Sequence, residues 1–339
     1  MLRVFCLSEN DVIILKFVET NAIMKFRTQI PISKSNNPID YRSQVVSLGS
    51  CFAVNMSEKL DYFRFRNYCN PFGILFHPLA IEKAIDFALQ EKQFTQEDIF
   101  FYNEQWHSYD VHSDLNANDP ELLLENLNRV TSETQNELAN ATHVLITLGT
   151  AWVYRKIEND QIVANCHKVP QKQFKKELLS VAVIQESLEK IIAGISQLNP
   201  KAQFVFTVSP VRHSKDGFVE NQWSKANLIT AVHQVISETP NAVYFPSYEI
   251  MMDELRDYRF YTEDMLHPNG IAIDYIWERF TETWMAETTW PVMKEVDSIQ
   301  KGLAHRSFNP DSEQHLRFLE NLKIKITKLV TEYPNISFG

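Results

Sequence analysis

Four short clusters hold most of the residue types that could do covalent chemistry. They are Gly49-Ser50-Cys51-Phe52-Ala53, Gly149-Thr150-Ala151-Trp152, Ser209-Pro210-Val211-Arg212-His213 and Asp264-Met265-Leu266-His267-Pro268. In the last, Asp264 and His267 stand at i and i+3. That spacing lets a carboxylate orient an imidazole and stabilise its protonated form. In the first, Ser50 and Cys51 follow a glycine and open a helical pattern. A helix N-terminus presents free N–H groups and a positive dipole end, which favour a thiolate. A serine there would need a base such as His267. Plainer readings stand beside these. Asp264 could cap a helix, Ser50 could cap the one after Gly49, and Cys51 could fill core space.

The surrounding elements give the clusters a common place. Val45–Gly49, Ala141–Gly149, Phe204–Val208 and Ala242–Phe245 are short apolar runs with strand character. Helical spacing links them, through Phe52, Ala53, Met56, Leu60 and Phe63, then residues 79–90, the leucines after Pro120, residues 178–195 and residues 224–238. Strands alternating with helices imply a parallel sheet covered on both faces, whose ligands bind outside the carboxyl ends of the strands. All four clusters fall at or after such ends. Beyond Ile271 the chain is expected to be mostly helical, with a last amphipathic helix over residues 311–332.

Composition narrows the function. The 339 residues carry a formal charge of −10, with 33 Lys and Arg against 43 Asp and Glu. An acidic chain is a poor general nucleic-acid binder, because phosphate contacts need a basic face. No run of 18 apolar residues is present, so no membrane span is expected. The four cysteines, Cys6, Cys51, Cys69 and Cys166, form no CxxC pair. This pattern suits a reducing cytoplasm and argues against a disulfide framework or a metal centre. No signal peptide is expected. Met24 reads as an alternative start, so residues 1–23 are expected to be an extension outside the core, followed by an extended arm over residues 24–44.

The clusters also spell a known family. Gly49-Ser50-Cys51-Phe52-Ala53 matches the motif that names the GSCFA family. The agreement continues through Asn70-Pro71-Phe72-Gly73, Leu148-Gly149-Thr150-Ala151-Trp152-Val153-Tyr154, Asn165-Cys166-His167-Lys168 and the Ser209 and Asp264 clusters, over roughly residues 25–280. The family is similar to the SGNH (GDSL-like) hydrolases. The resemblance implies an α/β, three-layer flavodoxin-like parallel sheet with helices on both faces, here with a helical C-terminal extension. It divides the chain into residues 24–285 as the hydrolase-like domain and 286–339 as a helical segment packed on it.

By the same resemblance the protein is a hydrolase of ester or related acyl bonds, with no cofactor and a small-molecule or carbohydrate ester as substrate. Acyl transfer on the same site and an inactive binding module are the alternatives. Asp264 and His267 match the Asp-x-x-His block. Aligning Gly49 with the first-block glycine puts Cys51 at the nucleophile position; aligning on residue type favours Ser50. Cys51 is preferred. Gly73 matches an oxyanion-hole glycine and Asn70 belongs to its motif. The third block lacks its usual Asn after Gly149, so Thr150 or Asn165 would have to replace that donor. His167 and Arg212 are candidate substrate contacts, Arg212 for a carboxylate or phosphate. A structural histidine, and a pair of Arg212 with Asp264 or Glu220, are the plainer readings. Trp106, Trp152 and Trp223 would suit sugar stacking.

Overall fold

The computed structural model describes residues 28–338, so the expectation for residues 1–23 lies outside the described residues. Five strands form the central sheet: β1 (Gln44–Gly49), β2 (Arg66–Cys69), β5 (His143–Leu148), β9 (Gln203–Val208) and β10 (Ala242–Tyr244). All pair in parallel, in the order β10-β9-β5-β1-β2. Counted along the chain this is 2-1-3-4-5. The order reverses between β1 and β5, and such a reversal opens a crevice at the strands' carboxyl ends.

The helices are α1 (Cys51–Tyr62), α2 (Pro78–Leu89), α3 (Pro120–Asn140), α4 (Val181–Leu198), α5 (Phe218–Glu238), the one-turn α6 (Ser247–Glu249), α7 (Gly270–Trp284), α8 (Trp290–Ala304) and α9 (Glu313–Glu332). Strand alternation sorts them into two layers. Val46, Leu48, Val144, Ile146, Leu148, Phe204, Phe206 and Val208 point to one face, where α2, α3, α4 and α5 pack. Val45, Leu145 and Val205 point to the other, onto α1 and α7, with α8 and α9 outside them. β1 and β5 are buried along their whole length, as strands covered on both faces must be.

Two insertions were not legible as strands. The hairpin β3 (Phe100–Tyr102) and β4 (Gln105–His107) lies between α2 and α3. An antiparallel sheet of β6 (Trp152–Lys156), β7 (Ile162–Val163) and β8 (Phe174–Leu178) follows the carboxyl end of β5. Helix α4 consequently starts at Val181 on a Ser180 cap, three residues later than periodicity suggested. The arm before β1 is partly core, since Ile39 is fully buried and bridges Met285. Among the described residues no helix is long and apolar enough to cross a membrane, and Cys51, Cys69 and Cys166 are free thiols.

Candidate functional site

β1 ends on Gly49 with φ +128°, and a Cβ there would stand 2.1 Å from the Thr147 carbonyl oxygen. Only glycine allows this close crossing of β1 and β5. The crossing delivers Ser50 and Cys51 to the carboxyl edge of the sheet. Ser50 N donates to Thr147 O (3.0 Å), and Gly49 N donates to Asn70 Oδ1 (2.8 Å). Asn70 therefore serves as the support of the Gly49 turn.

Ser50 and Cys51 part ways here. Ser50 is fully buried; its hydroxyl has no hydrogen-bond partner among the described residues and does not cap α1, contrary to the sequence expectation. Cys51 is the first residue of α1 and is half-buried. Burial pushes its thiol up, while the Lys225 charge and the N–H groups of Cys51 and Phe52 pull it back down.

Lys225, on α5, is a candidate functional group that sequence reasoning missed. It is completely buried, and its Nζ donates to Gly149 O (2.6 Å) and Ser209 O (2.7 Å), the carbonyls just past β5 and β9. Desolvation pushes its ammonium down to about 7, opposed first by the neighbouring Cys51. A signal was present. Asn221, Ser224, Lys225, Leu228, Ala231, Val232 and Val235 form the buried stripe of α5, and Lys225 is the one charge in it. Ser224, one residue earlier, holds the turn after β5 through Ala151 N (2.7 Å) and Thr150 Oγ1 (3.0 Å).

Asp264 and His267 lie on a tight turn in which Met265 takes φ +59°. Asp264 accepts from Thr262 Oγ1 (2.7 Å), Leu266 N (2.8 Å), His267 N (3.0 Å) and His267 Nδ1 (2.6 Å). These donors, the Thr262 hydroxyl foremost, hold the carboxyl well below its ordinary range. An ionised carboxylate only accepts, so Nδ1 carries the proton and Nε2 is left basic. Both side chains are about half exposed, at 45% and 49%. The turn docks on the end of the β9 cluster, where Arg212 N donates to Leu266 O (3.2 Å). His213, next along, feels both Lys225 and His267, and burial pushes its ring down to about 3. Charge interactions thus link Cys51 to Lys225, Lys225 to His213 and His213 to His267.

Several expected oxyanion donors are already committed. Gly73 sits in a left-handed turn (φ +73°), and its N–H donates to Asn70 O (2.8 Å). Gly149 N and Thr150 N both donate to Phe76 O (2.8 and 2.9 Å). The Thr150 hydroxyl is taken by Trp152 N and Ser224 Oγ. Asn165 Oδ1 accepts from His167 N (2.8 Å) within its own loop. The Gly73, Gly149 and Thr150 amides are thus not free donors, whereas the Asn165 bond uses its acceptor oxygen and does not occupy its Nδ2 donor. The remaining amides at the site are those of Cys51 and Phe52.

His167 is held inside the scaffold. It is buried, with Nδ1 3.2 Å from His107 Nδ1 and Nε2 2.7 Å from Ser108 O, and it ties the two insertions together. Burial pushes its ring down to about 4. Arg212 pairs with neither Asp264 nor Glu220. Its guanidinium donates to Gln222 Oε1 (3.2 Å), lies over the Tyr248 ring, and has no carboxylate partner among the described residues. It lines a cavity of about 310 Å³ with Phe218, Met252, Leu255, Tyr261 and Met265, beside the Asp264–His267 turn. Trp106, Trp152 and Trp223, the candidates for sugar stacking, do not line this cavity; the Trp152 indole donates to Glu220 O (3.2 Å).

A parallel doubly wound sheet with a thiol, a buried lysine and an Asp–His pair at its carboxyl edge defines an α/β protein whose polar groups gather where such sheets bind ligands. The chain belongs to the GSCFA family, whose profile matches residues 44–280, and the profile of the GSCFA domain protein C-terminal domain matches residues 296–339. No curated protein matches it.

Proposed function

We propose that this protein is an SGNH-like acyl hydrolase that uses Cys51 as nucleophile and His267 as base. The 2-1-3-4-5 strand order supports the flavodoxin-like assignment. The carrying observation is the Asp264–His267 pair, which leaves Nε2 basic in a turn docked at the edge that presents Cys51. His267 takes the thiol proton, and Cys51 Sγ adds to the ester carbonyl. The Cys51 and Phe52 amides at the head of α1 are the donors for the oxyanion. His267 then gives its proton to the leaving alcohol, and water releases the acyl group by the reverse path. Ser50 is disfavoured because its hydroxyl is wholly enclosed.

Unfilled polar capacity also supports a ligand here. Nine buried side-chain polar atoms lack hydrogen-bond partners among the described residues, and four of them, on Ser50, Asn70, His213 and Asn221, belong to this neighbourhood. Such atoms cost about 1–3 kcal/mol each and are rare without a reason. The cavity beside Arg212 is the place for the acyl or alcohol portion. The test is labelling by iodoacetamide and turnover of activated esters. Cys51→Ala and His267→Ala should abolish turnover, and Cys51→Ala should abolish labelling at that site. Full turnover in Cys51→Ala, lost instead in Ser50→Ala, would make Ser50 the nucleophile.

A further inference from the structure

Resting on the reading of Cys51 as the reactive group, we infer that Lys225 is a positioning residue whose buried ammonium, pinned by the Gly149 and Ser209 carbonyls, is the fixed counter-charge of the Cys51 thiolate. The geometry carries this. An ammonium has three N–H donors. Two are taken by carbonyls at the ends of neighbouring strands, and no third hydrogen bond to Nζ is present among the described residues. The pinning fixes Nζ at the sheet edge on which Cys51 opens α1, because Gly149 itself lies against Ser50: a Cβ on Gly149 would stand 3.1 Å from Ser50 Cβ.

Burying a lone ammonium is costly unless a negative group or hydrogen-bond acceptors compensate it. Among the described residues no carboxylate forms an ion pair with Lys225. The charged and titratable groups that act on it are Cys51 on α1, Arg212 after β9, Asp216 before α5, and His213; the Tyr248 ring lies 5.9 Å away. Asp216 is already paired with Lys176 (2.6 Å). Cys51 is the first of the charge partners. The attraction is mutual, since each group favours the charged form of the other. Thiolate formation thus satisfies two groups that are each penalised alone. A thiol that burial pushes up becomes usable at the same low-dielectric sheet edge as an immobile cation.

The experiment reads the pH dependence of iodoacetamide alkylation at Cys51, mapped by peptide mass. In Lys225→Met and Lys225→Gln, the alkylation inflection should move up by at least one pH unit, with at least a tenfold lower rate at pH 7. Thermal melts identify the folded variants, and Gln keeps donors for the two carbonyls. A second variant covers loss of folding. In Cys51→Ala, the Lys225 midpoint, followed by NMR of carbon-13-labelled lysine, should fall, because coupling between two titrating sites is reciprocal. An unchanged alkylation profile in a folded Lys225 variant, or an unchanged lysine midpoint in Cys51→Ala, overturns the proposal. Neither readout uses an ester. A shifted profile in a protein that turns over no ester would keep this proposal and sink the hydrolase reading. Ester turnover with an unshifted profile would do the reverse.

Discussion

Gly49 shows how much of the site depends on single atoms. Its φ of +128° and the 2.1 Å approach to Thr147 O leave no room for a Cβ. Gly49→Ala is expected to lose more than about 2 kcal/mol, from backbone strain plus the clash, read as a lower urea midpoint. Midpoints that coincide would mean the crossing of β1 and β5 is looser than described. Arg212 makes a residue-scale prediction about substrate. A half-buried guanidinium without a carboxylate partner, lining a cavity beside His267, suits an anionic group. Arg212→Ala should raise KM about tenfold for activated esters bearing a carboxylate, the effect of about one charge-assisted hydrogen bond, and leave neutral esters unchanged. Equal losses on both would show that Arg212 acts through packing against Tyr248 and Met252.

Among the elements, α2 carries a pH-sensitive cap. His77 precedes Pro78; its Nδ1 accepts from Ala80 N (3.1 Å) and its Nε2 bonds Val163 O (3.1 Å). The Ala80 contact needs the neutral ring, with Nδ1 as acceptor and the proton on Nε2; the Val163 contact is a donation from Nε2 that the charged ring also makes. Burial pushes His77 down to about 4, from 6.5. A base whose folded value is depressed contributes stability that is present above 6.5 and is lost as pH falls through about 4. The full loss is about 3 kcal/mol for that shift, as an order of magnitude. Urea midpoints at pH 7.5 and pH 4 should therefore differ less in His77→Asn, which keeps the cap but does not titrate. An unaltered pH difference in that variant would remove His77 from the acid response. The β6-β7-β8 sheet, which places Val163 against His77, joins α2 to this response.

For the whole molecule, the C-terminal helices are part of the core. Leu322 and Leu329 of α9, Val296 and Ile299 of α8, and Trp277 and Phe280 of α7 share one buried cluster with Val45, Leu145 and Val205 of the sheet. A cluster that reaches from the last helix to the central strands couples them in unfolding. Leu329→Ala should cost about 2–3 kcal/mol by cavity formation, and calorimetry should still show one transition with a lower Tm. A separate early transition would mean that α8 and α9 melt on their own. Alternate residues of the same strands feed the two helical layers, so strand alternation is one link between the face that bears α1 and the face that bears Lys225; Met252, packed against both clusters, is another.

The sequence by itself determined the parallel α/β architecture, because apolar runs of strand length alternated with helical stripes, and buried parallel strands have no other simple pattern. It also determined the positions of Ser50, Cys51, Asp264 and His267 in motifs, since local spacing and turn chemistry are properties of neighbours along the chain. The short strands β3, β4, β6, β7 and β8 were hidden because they are two to five residues long and carry no clean alternation of apolar and polar residues. Tertiary structure alone decided which polar groups are free. The amides of Gly73, Gly149 and Thr150 are consumed by Asn70 and Phe76, and His167 by His107 and Ser108, partners that no local spacing reveals. It likewise decided that Lys225, 174 positions after Cys51, acts on the same thiol. The physical reason is that an ammonium's effect depends on its depth and on the carbonyls that hold it, and both arise only when α5 packs across the ends of β5 and β9.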